Sequence, residues 1–204
     1  CANPANLSTA LNRAKHITKL IDSLPAVLRT SIKELNIFDT NNPFDEYWAC
    51  EYDHDINSGF YSAATGGFGQ VNIWNITPQM DTIAHELGHC LDSKIFEQLY
   101  GYKGYITNDK GDWAQAIAAD GNSVSSYGDN ALVEDLAESV SLYITNPAKF
   151  FKKYPNRAKV LMDMFNQYLE NELGFNSKMT RGQVNKRLLE LGFDSNFIRS
   201  YLDQ

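Results

Sequence analysis

The chain has 204 residues, with 18 Lys and Arg against 25 Asp and Glu, a formal net charge of −7 and a pI near 5.0. No basic stripe stands out along it, which argues against a nucleic-acid partner, and no apolar run approaches the roughly 18 residues of a transmembrane segment. Hydrophobic content of 43% and charged content of 21% are those of an ordinary folded protein, long enough for one substantial core with at most a small appendage.

Cys1, Cys50 and Cys90 make an odd count, so at least one thiol stays unpaired within the chain. Cys50 and Cys90 either pair in an oxidising compartment or remain two buried free thiols. A chain that opens on Cys without an initiator Met reads as a processed or truncated product. A bacterial lipoprotein cleaved before its lipidated cysteine begins this way, which would give a lipid anchor at Cys1 and a secreted or bacterial cell-surface protein; a boundary drawn inside a longer chain begins this way too.

Ser8 to Leu24 carries Leu11, Ala14, Ile17, Ile21 and Leu24 at helical spacing, and a second helix restarts at Pro25 through Val27, Leu28, Ile32 and Leu35. Asn36 to Pro43 is expected as loop. Tyr47 to Tyr52, Phe60 to Ala64 and Gln70 to Asn75 are short aromatic and β-branched runs, separated by Asn57-Ser58-Gly59 and Thr65-Gly66-Gly67. They predict a small antiparallel meander. Its last run, Phe68 to Asn75, would let an extended peptide add by backbone pairing if it is an edge strand, and would not if the protein's own loops cover it.

Thr77 to Leu99 then reads as an amphipathic helix capped by Thr77 with Pro78 in its first turn. Met80, Ile83, Leu87, Leu91 and Ile95 form the apolar stripe, leaving His85, His89 and Asp92 on another face. The stretch His85-Glu86-Leu87-Gly88-His89 is the pattern H-E-x-x-H. Residues four apart lie nearly above one another on a helix, so both imidazoles converge on one zinc ion while Glu86 faces a water beside it. Gly88 lets another segment approach closely.

Beyond it, Tyr100 to Lys110 is expected as loop, Asp112 to Asp120 as a short helix through Trp113, Ile117 and Ala118, and Gly121 to Tyr127 as loop again. Asn130 to Ile144 is a helix with Leu132, Val133, Leu136, Val140 and Ile144 inward, capped by Asp129 or Asn130 and stopped before Pro147. Pro155 to Leu173 is another, through Val160, Leu161, Met164, Phe165 and Tyr168. Residues 1–175 form the main domain, with helices and a small sheet in 1–76 and metal-binding helices in 77–175. Residues 176–204 form an appended helical hairpin, with a hinge at Asn176-Ser177-Lys178, a capping box at Thr180 and Gln183, and a last short helix from Asp194 through Phe197, Ile198, Tyr201 and Leu202.

A catalytic zinc takes three protein ligands and keeps one position open. Asp92 and Ile95 stand where the longer pattern H-E-x-x-H-x-x-G-x-x-H wants glycine and histidine, so the third ligand comes from elsewhere. The helix from Asn130 offers Glu134, Asp135 and Glu138. Glu134 and Glu138 share a face, and Asp135, turned about 100° aside, is expected to matter little to the metal.

The combination H-E-x-G-H-x-x-D over His85 to Asp92, Ser126-Tyr127-Gly128, and E-x-x-A-E over Glu134 to Glu138, seven residues after the tyrosine, resembles the catalytic domain of anthrax lethal factor and the secreted Pro-Pro endopeptidases. The resemblance covers about Thr77 to Ile144. It implies a zincin-like fold, α+β and mostly helical, with a small antiparallel sheet before the zinc helix and a helical C-terminal half. It implies His85, His89 and Glu134 as zinc ligands, Glu86 as general base, Tyr127 as the hydroxyl at the reacting carbonyl, and Asp92 and Glu138 as groups that steady the ligands from behind. The expected function is a zinc-dependent endopeptidase acting on peptide or protein substrates. The alternatives are a catalytically inactive zinc-containing binding module and a metal-dependent hydrolase of another substrate; an intact Glu86 argues against the first.

Overall fold

The computed structural model describes residues 4–51, 61–109, 111–172, 178–193, 195 and 198–199. Helix α1 (Pro4–Asp22) and the single turn α2 (Ala26–Arg29) lead into strand β1 (Glu34–Ile37) and helix α3 (Asp45–Glu51). Strands β2 (Ala64–Gly67) and β3 (Gln70–Ile73) form a hairpin, followed by the central helix α4 (Met80–Tyr100). Short helices α5 (Ile106–Asp109) and α6 (Asp112–Asp120) and a 3-10 turn (Gly128–Asn130) lead to α7 (Leu132–Thr145), α8 (Pro147–Lys153), α9 (Pro155–Glu172) and α10 (Arg181–Glu190). The result is α+β, mostly helical, with one small sheet.

The sheet differs from the expected meander. Its order is β1-β3-β2, with β1 parallel to β3 and β2 antiparallel to it, so it is mixed. The chain from Glu34 to Ile37, read as the end of a helix and the start of a loop, is the parallel partner; a parallel pair needs a long crossover, and that leaves no local turn signal. Tyr47 to Tyr52 is instead largely the helix α3, whose first turn holds Asp45 and Glu46, where acids favour a helix N-terminus. Its aromatic residues gave only a weak strand preference. Thr65-Gly66-Gly67, read as a separator, is the body of β2. The true turn is Phe68-Gly69, both with positive φ (51° and 80°), the backbone of a type I′ hairpin. Phe68 tolerates it while its N–H donates to Ser93 Oγ at 2.8 Å. Strand β3 is therefore central, and β2 is the edge strand on the side of α4.

Helix α4 begins at Met80 with Gln79 as its N-cap, so Thr77 and Pro78 lie ahead of it rather than capping it. It is covered on nearly every side: every residue from Ile83 to Ser93 is buried, with Ile83, Leu87 and Leu91 at 0% exposure. Helix α7 packs directly across it. A Cβ at Gly88 would stand 2.9 Å from Ala137 Cα, so this close approach requires the missing side chain. Helix α7 has Ala131 as its N-cap, and Asp129 and Asn130 fall in the preceding 3-10 turn. Asn146 caps α8, a helix not expected from the sequence, by accepting from Lys149 N.

The capping box of Thr180 and Gln183 forms as expected. The helix behind it does not stand apart. Val184, Leu188, Phe193 and Ile198 are buried in the same apolar cluster as Leu24, Leu161 and Phe165, the Ala26 N–H donates to Leu191 O at 2.9 Å, and the Phe165 and Phe193 rings lie 6.3 Å apart. Among the described residues Cys50 is an exposed free thiol and Cys90 a buried one, and no helix is long and apolar enough to cross a membrane. Cys1, Asn57-Ser58-Gly59, Asn176-Ser177 and most of the expected last helix lie outside the described residues.

Candidate metal centre

Helix α4 presents His85 and His89 one turn apart, and α7 brings Glu134 across from its first turn. His85 Nε2 and His89 Nε2 lie 3.2 Å apart. Glu134 Oε2 stands 3.2 Å from the first and 3.3 Å from the second. All three residues are buried. The donor set fits a metal ion: a tetrahedral ion with ligand bonds of about 2.0–2.1 Å separates its ligand atoms by about 3.3–3.4 Å, close to this triangle. Two imidazoles and one carboxylate would leave a tetrahedral ion one further position, and all three residues line a cleft.

Glu138, one turn beyond Glu134, accepts from His85 Nδ1 at 2.8 Å. With Nδ1 occupied as donor, Nε2 is the nitrogen turned toward His89 and Glu134. Burial works against a charged His85, but its hydrogen bonds to Glu134 and Glu138 outweigh that and raise its pKa to about 10. Burial likewise disfavours the charged carboxylate of Glu134, yet the two histidines hold its pKa well below the usual range. In the metal-free chain a proton on His85 thus balances the carboxylates.

Glu86 is buried beside the triangle, and that desolvation raises its pKa above the ordinary value despite the nearby histidines. It accepts a hydrogen bond from the backbone N–H of Gly66 in β2. A Cβ at Gly66 would sit 2.4 Å from the Glu86 carbonyl oxygen, so the strand reaches the helix only because this residue is glycine. The edge strand and the acid are thereby locked together.

Asp92, one turn beyond His89 on α4, is fully buried. It accepts from Thr107 twice, from the backbone N–H at 3.1 Å and from the hydroxyl at 2.7 Å, and so ties α4 to α5. Burial raises its pKa to about 6, and His89 acts on it through charge. Tyr127 lies across the cleft, its ring centroid 5.7 Å from that of His85. Asp135 is fully buried and far from idle: it accepts from Trp113 Nε1 at 3.0 Å, Ser123 Oγ at 2.7 Å and Arg157 Nε at 2.7 Å.

The cleft has a volume of about 310 Å³, and His85, Glu86, His89, Tyr127 and Glu134 all line it. Trp48, Thr65 and Tyr105 line it as well, and none of the three belongs to a motif in the sequence. Tyr105 faces His89 at 6.3 Å between ring centroids, and burial, with the nearby acids, pushes its hydroxyl up to about 12. A tyrosine in a Gly- and Tyr-rich stretch carries no signal of its own, and only the packing of α5 against α4 turns it toward the metal group. A roomier groove of about 610 Å³ lies between α6 and α9, lined by Asp112, Lys159 and Asp163 among others and by none of the three converging donors. No protein-family model matches the chain, and no curated protein matches it at a significant level.

Proposed function

We propose that the chain is a zinc-dependent endopeptidase of zincin-like architecture, similar to the lethal factor and Pro-Pro endopeptidase group whose motifs it shares. The observation that carries this reading is the buried triangle of His85, His89 and Glu134, opening on a cleft that also holds the carboxylate of Glu86. A purely structural metal has no use for an acid beside an open position.

When bound there, zinc would polarise a scissile carbonyl and make an adjacent water more acidic. Glu86, desolvated and steadied by the Gly66 N–H, accepts that water's proton and returns it to the leaving amine. Tyr127 donates its hydroxyl to the carbonyl oxygen as negative charge develops, an interaction stronger in the transition state than in the ground state. Glu138 holds the His85 ring in its tautomer. The edge of β2, rather than β3, borders the cleft, and an extended peptide pairing with it would run past Glu86. Trp48, half-buried in the wall, and Val133 offer apolar contact to side chains of such a peptide.

The test is cleavage of a peptide library by the zinc-loaded chain, with and without chelator. Chelator-sensitive hydrolysis of internal peptide bonds is the expected result. One bound zinc with no cleavage would favour an inactive binding module, and chelator-sensitive hydrolysis of other bonds alone would favour a non-peptide hydrolase.

A further inference from the structure

Residues 121–127 run as an irregular segment from the end of α6 to the 3-10 turn, and Tyr127 stands at the far end of that segment. The position of its hydroxyl therefore depends on what fixes the segment. Two acids of α7 do so, on different faces. Asp135 accepts from Ser123 Oγ at 2.7 Å and from Val124 N at 3.4 Å. Arg157 of α9 completes the clamp: its Nε and Nη2 donate to Asp135 at 2.7 and 3.1 Å, while Nη2 also donates to Asn122 O at 2.6 Å. Nearer the metal group, Ser125 donates to the Glu138 carboxylate, which also holds His85, and the Gly128 N–H donates to Ser125 Oγ at 3.0 Å.

A buried ion pair is a poor device for stability, since apolar residues of similar volume often stabilise as well or better. This pair, with Asp135 and Arg157 both at 0% exposure, directs hydrogen bonds to Asn122, Ser123 and Val124 of one loop, and ties the preceding helix α6 through Trp113 and Asp120. We propose that Asp135 and Arg157 are positioning residues that clamp residues 122–124 and so hold Tyr127 at working distance from His85. The inference rests on the endopeptidase reading for its catalytic half and on the structure alone for the clamp. A displacement of about 1 Å in a group acting on a transition state can cost on the order of a hundredfold in rate, so the clamp acts on turnover rather than on metal binding.

The experiment uses the zinc-loaded full chain and two variants, Asp135→Asn and the milder Ser123→Ala, which removes one hydroxyl donor and leaves the ion pair in place. Hydrogen exchange followed by mass spectrometry should show amides of 122–128 exchanging faster in both variants, with those of 83–93 unchanged and zinc content held at one. On peptides, kcat should fall about tenfold or more while KM changes little, and the same changes made in a Tyr127→Phe background should lower kcat by no more than about twofold, because the residue being positioned no longer has its hydroxyl. Should Asp135→Asn not fold, Ser123→Ala carries the comparison with a smaller loss. Unchanged exchange in 122–128 would overturn the clamp whatever the activity. An undiminished kcat loss in the Tyr127→Phe background would overturn its link to Tyr127 while leaving the endopeptidase reading intact. A zinc-loaded wild-type chain inert on peptides would overturn that reading and the catalytic half of this one, leaving the exchange result to decide the clamp.

Discussion

Glu134 and Asp135 are neighbours in the first turn of α7 and serve opposite sides of it: Glu134 Oε2 closes a triangle with His85 and His89, while Asp135 accepts from Trp113, Ser123 and Arg157. A helix turns its side chains by about 100° per residue, so two consecutive acids give one helix two separate tasks. Helical spacing puts Asp135 aside from the metal group, and in the structure it lies aside from it. A small effect on the metal does not imply a small effect on the fold, because the face Asp135 turns to is buried and polar.

Asp135→Ala should therefore destabilise the fold by about 2–3 kcal/mol, since it leaves Trp113 Nε1, Ser123 Oγ and Arg157 Nε without their acceptor while Asp120, 3.3 Å from Arg157 Nη1, remains as the guanidinium's carboxylate partner. Denaturant unfolding of the zinc-loaded chain checks this. A change below about 0.5 kcal/mol, the usual range for a surface substitution, would contradict it.

Glu134→Ala should strip the metal during dialysis against a mild chelator. Glu138→Ala, which removes only the acceptor behind His85 Nδ1, should weaken affinity or activity by about ten- to a hundredfold without emptying the site. Zinc content, with the melting temperature measured with and without added metal, separates the two, because a ligand bound only by the folded state raises its stability. A zinc-replete Glu134→Ala protein would mean that the third ligand lies elsewhere.

The metal-free site titrates in a definite direction. His85 has a raised pKa of about 10, so its contribution to stability is full below its ordinary value near 6.5 and is lost as pH rises through about 10. Glu134 has a depressed pKa, so its contribution is present above the ordinary carboxylate range and is lost at lower pH. A metal must displace the His85 proton, so zinc affinity should rise about tenfold per pH unit up to about pH 10, with about one proton released per ion bound at pH 8. Calorimetric titration in buffers of different ionisation enthalpy reads that proton. A buffer-independent heat at pH 8 would indicate that His85 is already neutral.

Much of the site was legible in the sequence because it is local. His85, Glu86 and His89 are fixed relative to one another by helical spacing alone, and the two glutamates of α7 by one further turn. What was not legible depends on contacts between segments far apart in the chain. The parallel partner of β3 lies more than thirty residues upstream, Tyr105 reaches the cleft only through the packing of α5 on α4, and Asp135 finds Arg157 on a different helix. Gly66 looked like a turn residue and is a strand residue pressed against Glu86, since both roles call for a missing side chain.

The C-terminal helix gives a prediction opposite to the one its motif-free sequence suggested. Leu188 is fully buried in the main cluster, so Leu188→Ala should cost about 2–5 kcal/mol, and truncation after Asn176 should leave a chain that aggregates or melts well below the intact one. Thermal unfolding of the two proteins checks this. A truncated chain that keeps its melting temperature and its zinc would show the helix to be an accessory after all.

In the proposed reaction Glu86 moves a proton beside the metal, and Glu86→Gln isolates that role, because the amide nearly preserves shape while losing the basic oxygen. Zinc stoichiometry and peptide turnover should be measured on the same purified sample of that variant. One zinc per chain with turnover lowered by about a hundredfold or more is the predicted outcome; one zinc per chain with turnover close to that of the unaltered protein would contradict the account.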